Sequence, residues 1–504
     1  MFIFIQLERL LQFGLQKKLI EPLDSDYVRN RLLNLLHLDA MEQVETPEEA
    51  LDYPVEILNN IVEWASQQQD LNISTITEKD QLDAALMDCF MPRPSETAKA
   101  FQQRYRSSPA EATDYFYSMS KQVNYIRTDR IAKNEHWYSE TEYGDLEITI
   151  NLSKPEKDPT TIEAEKKAKA ISYPLCLLCK ENVGYAGRVN HPARHNHRIM
   201  PVNLGEESWF MQYSPYVYYN EHAIIFSSEH RPMSISKSGF SRLLGFVEQF
   251  PHYFVGSNAD LPIVGGSILS HDHFQGGQHD FPMALALVEK EYKIDGFEDV
   301  NAGAVKWPMS VIRLSGKSKD RLLEMADLIL HTWKAHSDEA VGVYAESDGQ
   351  PHNTITPIAR MRNGKFELDL VLRNNRTSEE HPFGIFHPHQ DVHHIKKENI
   401  GLIEVMGLAV LPGRLKEELT VLGNYLVEGN LDKAGEDERT AKHLDWAKKI
   451  AAVEKNLSSE NIQDVLRKHV GIVFSRVLED AGVFKRDWEG QQAFTRFIET
   501  LSGR

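Results

Sequence analysis

Two histidines and a glutamine alternate within a short stretch bounded by glycines. The stretch runs from Gly265 to Gly277 and contains His271, His273 and Gln275. In an extended chain, alternate side chains lie on the same face, so these three would share one surface. The glycines would let a phosphate come close to the backbone. A polar turn with incidental histidines is the alternative, but it leaves the alternation of three functional side chains unexplained.

His273 has the chemistry of a nucleophile in this arrangement. A neutral imidazole, with an ordinary pKa of roughly 6.5, can attack phosphorus and later leave from the phosphoramidate. Its other ring nitrogen must then donate to an oriented acceptor, most simply a backbone carbonyl of the same turn. Gln275 could donate its amide N–H to a phosphate oxygen without supplying a proton, which favours transfer over hydrolysis. Taken alone, Gln275 fits a turn-stabilising amide equally well.

Cys176 and Cys179 indicate a metal site. They form a Cys-x-x-Cys pair behind a proline-led turn, and two thiolates on one tight turn make half of a tetrahedral zinc site. A pair of buried free cysteines is the less favoured alternative. Spacing does not decide between two histidine pairs for the remaining ligands, which are His191 with His195 or His230 with His271.

Composition excludes several classes of protein. The 504 residues carry a net charge of −18, which argues against a general nucleic-acid or acidic-membrane binder. No apolar run is long enough to span a membrane, and the start of the chain lacks the basic region of a signal peptide. Three cysteines are too few for a disulfide framework. We therefore expect a cytoplasmic protein of more than one domain.

Periodicity divides the chain into regions. The four regions are a helical part at 1–118, a half with the motifs at 119–285, a second α/β half at 286–414 and a helical part at 415–504. The strands predicted around the motifs are Tyr143–Leu152, Tyr216–Tyr219, Ala223–Phe226 and Leu261–Val264. One helix is predicted at Lys237–Gln249. Lys154–Lys169, which is rich in charge, is predicted to be a linker or an exposed loop.

These motifs together resemble a known family. The His-x-His-x-Gln stretch, the Cys-x-x-Cys pair and Phe226-Ser-Ser-Glu-His230 are similar to galactose-1-phosphate uridylyltransferases, a branch of the histidine-triad superfamily. Val123–Asn134 and Pro215–His222 resemble the second, longer class of that family. The likeness to the longer class covers nearly the whole chain, whereas the shorter class matches only in patches at about 120–275.

The resemblance implies a fold and a reaction. The implied fold is α/β (α+β): a twisted antiparallel sheet of histidine-triad type, duplicated, with helical N- and C-terminal regions. The implied reaction moves UMP from UDP-glucose to galactose 1-phosphate through a uridylyl-histidine. The implied cofactor is a structural Zn²⁺, and the implied assembly is a homodimer. The partners are therefore these small molecules, with no nucleic acid and no membrane.

The resemblance also implies roles for individual residues. His273 matches the uridylylated histidine, and Gln275 matches the phosphate-binding glutamine. The zinc positions fall on Cys176, Cys179, His230 and His271. The positions of substrate contacts fall on Arg130, Lys133, Asn220, Glu221, Asn258 and Ser267. Lys133 stands where the family has arginine and Glu221 where it has aspartate, so the contact of Glu221 with the ribose is open.

Some features leave alternatives open. The shorter class has a Tyr-Glu pair for the hexose, and Met406–Ala409 does not match it. His387 and His389 fit a second metal, a solvated loop or a sugar-phosphate contact, and Arg360 and Arg362 could meet a phosphate. Two other functions stay open. One is a nucleotide-sugar phosphorylase of the same superfamily, and the other is a zinc-stabilised nucleotide-binding or hydrolase-like protein.

Overall fold

A computed structural model describes residues 1–153 and 171–502. The predicted linker Lys154–Lys169 lies outside the described residues. The chain divides into two compact units. The first comprises Met1–Lys133, Ser153–Val217 and Glu221–Arg231, and the second comprises Asn134–Leu152, Tyr218–Asn220 and Pro232–Arg504.

The first unit begins with helices. They are α1 (Phe2–Gln16), α2 (Ser25–Leu35), α3 (Val55–Ser66), α4 (Ile76–Asp88), α5 (Pro94–Tyr105), α6 (Pro109–Gln122) and the short α7 (Thr128–Ile131). In α3, Ile57, Leu58 and Ile61 are fully buried, because residues three or four apart share one face of a helix. Helix α4 begins with a capping box between Thr75 and Glu78, which satisfies backbone N–H groups of its first turn.

The same unit contains three consecutive antiparallel strands. They are β3 (Met200–Leu204), β4 (Glu207–Tyr213) and β5 (Ala223–Ser227). Alternate residues of β3 are buried, so one face of this strand packs on the core. Strand β5 confirms the strand predicted at Ala223–Phe226. It places His230 three residues beyond the end of the strand.

The second unit contains a mixed-order antiparallel sheet of seven strands. In spatial order they are β7 (His273–Gly277), β6 (Phe254–Gly256), β13 (Asn353–Arg362), β14 (Lys365–Asn374), β10 (Val311–Gly316), β9 (Asn301–Val305) and β8 (Val288–Tyr292). Neighbouring strands here pair antiparallel, and β13 with β14 is the longest hairpin. The hairpin of β11 (Glu346–Ser347) and β12 (Gln350–Pro351) is separate.

A smaller sheet in the second unit joins distant parts of the chain. Strand β1 (Glu135–Thr141) pairs antiparallel with β2 (Gly144–Asn151), and β15 (Leu408–Pro412) pairs parallel with β2. Leu146, Ile148 and Ile150 of β2 are buried in a large apolar core with Trp307. The opposite face of β2 carries Glu147, which is also buried. A buried carboxylate on a core strand requires polar partners.

The remaining helices belong to the second unit. They are α8 (Lys237–Gln249), α9 (Pro282–Leu285), α10 (Lys319–Lys334), α11 (Leu402–Val405), α12 (Arg414–Glu428), α13 (Leu431–Glu436), α14 (Leu444–Val453), α15 (Ile462–Ala481) and α16 (Trp488–Ser502). The helix predicted at about Lys237–Gln249 is confirmed by α8. Ser236 caps it by accepting from the Gly239 N–H. None of the helices in the described ranges has the length and apolar character needed to span a membrane.

Two predicted strands are wrong. Leu261–Val264 forms a turn, in which Ile263 has a φ of 73°. Pro262 inside this run lacks the N–H that a strand ladder needs. Tyr216–Tyr219 is also a turn, and Val217 has a φ of 35°. In both cases apolar and aromatic residues pack without joining a sheet, so β-type composition alone was misleading.

Candidate functional site

Strand β7 carries two of the three alternating side chains. His273 begins the strand and Gln275 lies two residues later, so both project from one face. Gln275 pairs with Gly256 of the neighbouring strand β6. His271 lies at a bend just before the strand. The extended segment expected from the sequence therefore begins at the second histidine.

His273 is held in one tautomer by a backbone contact. Its side chain is buried, and its Nδ1–H donates to the carbonyl oxygen of His271 at 2.8 Å. The sequence predicts this bond to a carbonyl of the same turn. The Nε2 atom then carries the lone pair. Burial lowers the pKa of His273 to about 4, so the imidazole is neutral at neutral pH and can act as a nucleophile.

Gln275 brings an unsatisfied amide to the same face. Its Oε1 atom is buried and has no hydrogen-bond partner in the described part of the chain. Leaving such a polar group unpaired costs about 1–3 kcal/mol. Buried polar atoms without a protein partner are typical of sites that are completed by a ligand. The oxygen can only accept a hydrogen bond, so the donation to a phosphate oxygen expected of Gln275 would have to come from its Nε2, and that role stays a prediction.

The glycines before the histidines allow close packing of the backbone. A side chain at Gly265 would lie 2.6 Å from the carbonyl oxygens of Ala259 and Leu261, and one at Gly266 would lie 2.7 Å from Nδ2 of Asn258. Both distances are shorter than any ordinary carbon contact. These two glycines are thus required by the turn itself. This packing explains both glycines without a phosphate, so the phosphate contact expected from the sequence stays a prediction.

The cysteine pair lies next to a histidine. The Sγ atoms of Cys176 and Cys179 are 3.5 Å apart, and Cys179 Sγ is 3.3 Å from Nδ1 of His230. With His271, these residues form a group whose ligand atoms all lie within 4.8 Å of one another. Two thiols and two imidazoles are a donor set that suits Zn²⁺. Burial raises the pKa of the Cys179 thiol to about 11, and a bound divalent cation would instead favour its thiolate.

Other histidines are committed elsewhere. His191 bonds through Nε2 to Oδ1 of Asn182 at 2.6 Å. His387 bonds to the Pro388 carbonyl and to Asn399, while His389 bonds to the Ile385 carbonyl at 3.0 Å. Over residues 1–153 and 171–502, no second group of three or more His, Cys, Asp or Glu side chains is spaced to hold a metal ion.

The basic residues expected at the nucleotide phosphates lie in and after α7. Arg130 forms a two-point contact with Asp80 of α4, at 3.1 Å and 2.6 Å. Arg127 lies 3.3 Å from Asp83 of the same helix. Lys133 is exposed. In this structure the guanidinium of Arg130 is therefore oriented by a carboxylate from the N-terminal helices.

The remaining expected substrate contacts have varied surroundings. Asn220 donates from Nδ2 to the Gln278 carbonyl at 3.1 Å, which ties it to the segment following β7. Glu221 is buried with a φ of 54°. Asn258 accepts through Oδ1 from the Leu402 N–H at 2.8 Å, so its carbonyl oxygen holds the fold. Ser267 is exposed on the turn before His271.

Comparison with known proteins decides the family. One family model, described as "Galactose-1-phosphate uridyl transferase, N-terminal domain", matches residues 18–232, and its "C-terminal domain" counterpart matches residues 246–447. The chain belongs to the galactose-1-phosphate uridylyltransferase family. A "Galactose-1-phosphate uridylyltransferase" of Halalkalibacterium halodurans is 59% identical over 502 residues, covering 99% of both chains. That of Bacillus subtilis is 54% identical, covering 100% of this chain and 99% of its own.

The likeness to solved structures is weaker. The crystal structure of yeast Ap4A phosphorylase Apa2 matches 66% of this chain and 92% of its own, with 14% identity and a TM-score of 0.34. Membership of the uridylyltransferase family therefore rests on the family models and on the full-length relatives. The α/β class expected from the sequence is confirmed by the antiparallel sheets and helices described above.

In this member of the uridylyltransferase family, several polar residues with specific partners were not predicted from the sequence. Asp80 and Asp83 lie in the helical part at 1–118, which contains none of the sequence motifs, and they form ion pairs with Arg130 and Arg127. The signal in the sequence that could have found them is their spacing, because two acidic residues three apart in α4 lie on the same face of the helix. Glu147 was also missed, because the alternation of β2 marked only its apolar face.

Proposed function

We propose that this protein transfers UMP from UDP-glucose to galactose 1-phosphate through a covalent uridylyl intermediate on His273. The observation that carries the proposal is the 2.8 Å bond from His273 Nδ1 to the His271 carbonyl. That bond leaves Nε2 as the nucleophilic atom on the same strand face as Gln275. The full-length relatives that bear the uridylyltransferase name support the choice of substrates.

The reaction proceeds in two balanced steps. Nε2 of His273 attacks the α-phosphorus of UDP-glucose, an N–P bond forms, and the bond to the bridging oxygen breaks to release glucose 1-phosphate. A phosphate oxygen of galactose 1-phosphate then attacks the same phosphorus and expels the neutral imidazole, giving UDP-galactose. The Nδ1–H stays on the ring throughout, because the His271 carbonyl holds it. The acceptor is already an anion, so no separate base is required.

Gln275 and the basic residues serve the phosphates in this proposal. The Gln275 amide donates to a non-bridging oxygen as charge builds up at phosphorus. Arg130 and Lys133 bind the nucleotide phosphates, with Arg130 oriented by Asp80. Asn220 and Glu221 serve the uridine, and Asn258 and Ser267 lie on the turn beside the nucleophile. Asn258 would act mainly by holding the backbone, since its Oδ1 accepts from Leu402.

A structural Zn²⁺ on Cys176, Cys179, His230 and His271 is part of the proposal. The two-thiol, two-imidazole set leaves no open position for a reacting water. When bound, the ion supplies rigidity to the turn. The carbonyl that orients His273 belongs to His271, so the position of this ligand also sets the tautomer of the nucleophile.

We further propose that the protein is a cytoplasmic homodimer. Sedimentation of the purified protein would test the dimer.

Labelling of the intermediate tests the function. UDP-glucose labelled at the α-phosphate, given without acceptor, should leave label on the protein that is acid-labile and base-stable. The His273→Ala variant should take up none. Addition of galactose 1-phosphate should chase the label into UDP-galactose, whereas chase by inorganic phosphate instead would assign a phosphorylase. Label retained in His273→Ala would refute the assignment of the nucleophile.

A further inference from the structure

A buried carboxylate lies beside the segment that follows strand β7. Glu147 of β2 accepts two hydrogen bonds from histidines, one at Oε1 from Nε2 of His136 and one at Oε2 from Nε2 of His279, each at 2.7 Å. Burial raises the pKa of Glu147, but the hydrogen bonds from His136 and His279 outweigh it and hold the pKa at about 2. Because an ionised carboxylate only accepts, each ring carries a proton on the nitrogen that faces Glu147.

The two histidines hold different parts of the chain. His136 lies on strand β1, and 43% of its side chain is exposed. His279 lies two residues past the end of β7, and only 17% of its side chain is exposed. The ring of His279 also packs edge-on against Phe281, with the ring centres 4.5 Å apart. Held from two sides, His279 fixes the chain just beyond the strand that carries His273.

Two residues of a distant segment bind to this part of the chain. The Tyr219 hydroxyl donates to the Gly276 carbonyl at 3.1 Å, and Asn220 donates from Nδ2 to the Gln278 carbonyl, also at 3.1 Å. The ring of Tyr219 lies 5.8 Å from the ring of His279. The position of Asn220 therefore depends on a carbonyl that belongs to the residue next to His279.

The bond to Gln278 also decides which end of the Asn220 amide is offered to a ligand. A carbonyl only accepts, so Nδ2 of the amide lies toward Gln278 and Oδ1 lies on the other side. Asn220 is exposed, and its Oδ1 makes no hydrogen bond within residues 1–153 and 171–502. A ligand group that bonds to this oxygen must be a donor, such as a hydroxyl or an N–H of a nucleoside. If the Gln278 carbonyl moved, the amide could turn and offer its donor instead.

We propose that Glu147 and His279 are positioning residues for uridine binding, which they support through the Gln278 carbonyl and Asn220. Neither side chain touches the ligand in this proposal. A buried charge is costly unless its hydrogen-bond partners are in place, so Glu147 resists displacement of the His279 ring. The four residues of this chain of contacts all belong to the second unit. The inference rests on the proposed function, in which Asn220 serves the uridine.

Binding of UMP to the full-length, zinc-loaded protein, measured by calorimetry, tests the proposal. UMP carries the uridine and one phosphate but has no leaving group for transfer. His279→Phe keeps an aromatic ring and removes the donor to Glu147. It should weaken UMP binding on the order of tenfold, about the effect of one lost hydrogen bond. His279→Gln, whose Nε2 can still donate to the carboxylate, should bind UMP nearly as well as the wild type.

His136→Phe is the matched control. It removes the bond to the other oxygen of the same carboxylate, at the same distance of 2.7 Å, from a ring that packs against Tyr138 of its own strand. This variant should bind UMP as the wild type does. Equal losses in His136→Phe and His279→Phe would mean that Glu147 only stabilises the fold, and would overturn the proposal.

A double variant tests whether His279 acts through Asn220. Asn220→Ala should weaken UMP binding, and adding His279→Phe should weaken it no further, because both changes remove the same contact. Additive losses would contradict a route through Asn220. If His279→Phe does not fold, His279→Asn, whose shorter amide stops short of Glu147, replaces it in both comparisons.

Labelling of His273 is read separately from UMP binding. A wild type that binds UMP but takes up no label would refute uridylyl transfer and leave the comparison of the variants intact. A wild type that takes up label, together with UMP binding that His279→Phe leaves unchanged, would refute the positioning role alone. Failure of the wild type to bind UMP would overturn both.

Discussion

Two of the His-x-His pairs in the chain, His271 with His273 and His387 with His389, have different surroundings. In the first, His273 donates from Nδ1 to the His271 carbonyl, which leaves the lone pair of the ring on Nε2, the atom proposed as the nucleophile. In the second, both ring nitrogens of His387 contact protein acceptors, and Nε2 of His389 bonds to the Ile385 carbonyl. The identical spacing therefore carries no function of its own. What makes a histidine reactive is a ring nitrogen that the fold leaves unpaired on an accessible face.

Removing the imidazole of the first pair should have the largest effect. His273→Gly should lower uridylyl transfer by roughly 10⁴-fold or more, because no other group can form the covalent intermediate. Uridine 5′-phosphoimidazolide should restore transfer to galactose 1-phosphate. Its imidazole can occupy the space left by the His273 side chain, and it already carries the uridylyl group. Product formation from the imidazolide, followed by chromatography, checks this. Absence of rescue with a folded variant would contradict the assignment of His273.

The partner histidine of the first pair should fail in a different way. His271→Gly should lose the metal, and elemental analysis should fall from about one zinc per chain to none. Transfer should drop on the order of a hundredfold, because a misplacement of about 1 Å in the nucleophile has a cost of that size. The imidazolide should not rescue it. Rescue of His271→Gly, or of both variants equally, would show that the two histidines are assigned wrongly.

Loss of the zinc thiolates should act on stability as well. Cys176→Ser should lose the metal and lower the free energy of unfolding, by on the order of 4 kcal/mol or more. Chemical unfolding of the wild type and the variant gives this difference. Cys89→Ser serves as the control, since Cys89 is the third free cysteine and lies outside the cluster. A wild-type preparation that is metal-free, fully stable and fully active would rule out the structural role.

Gln275 should have a smaller effect on rate than the nucleophile. Gln275→Ala should lower kcat by about 10²-fold to 10³-fold, the usual loss when one donor to a developing charge is removed. Its folding should be little changed, because Oε1 has no protein partner to lose. Single-turnover uridylylation, with circular dichroism as the check on folding, measures both. A normal rate in this variant would show that Gln275 has a structural role and does not assist catalysis.

The second pair should affect stability without affecting chemistry. His389→Ala removes a partly buried ring that bonds to a backbone carbonyl and lies 3.6 Å from Asp480. We expect a loss of about 1–3 kcal/mol in the free energy of unfolding and no loss of kcat for the folded fraction. Active-site titration with labelled UDP-glucose provides that fraction. A large fall in kcat with unchanged stability would mean that both pairs serve catalysis.

The sequence alone predicted those features that depend on residues close together in the chain. The alternation of His273 and Gln275 follows from the two-residue period of a strand, and the helix Lys237–Gln249 follows from its own apolar face and its Ser236 cap. The bond from His273 to the His271 carbonyl also spans only two residues. These features depend on the order of a few side chains, so no knowledge of distant segments was required.

Tertiary structure decided everything that joins distant residues. Leu261–Val264 and Tyr216–Tyr219 have strand composition, yet their packing makes them turns. Strand β15 pairs with β2 across more than 250 residues, and no local pattern encodes that partner.

The same holds for the polar contacts of the site. Asp80 orients Arg130 from a helix 50 residues away, and His230 comes beside Cys179 from 51 residues away. Periodicity records which face of an element is buried, whereas the identity of what covers that face depends on how the whole chain folds.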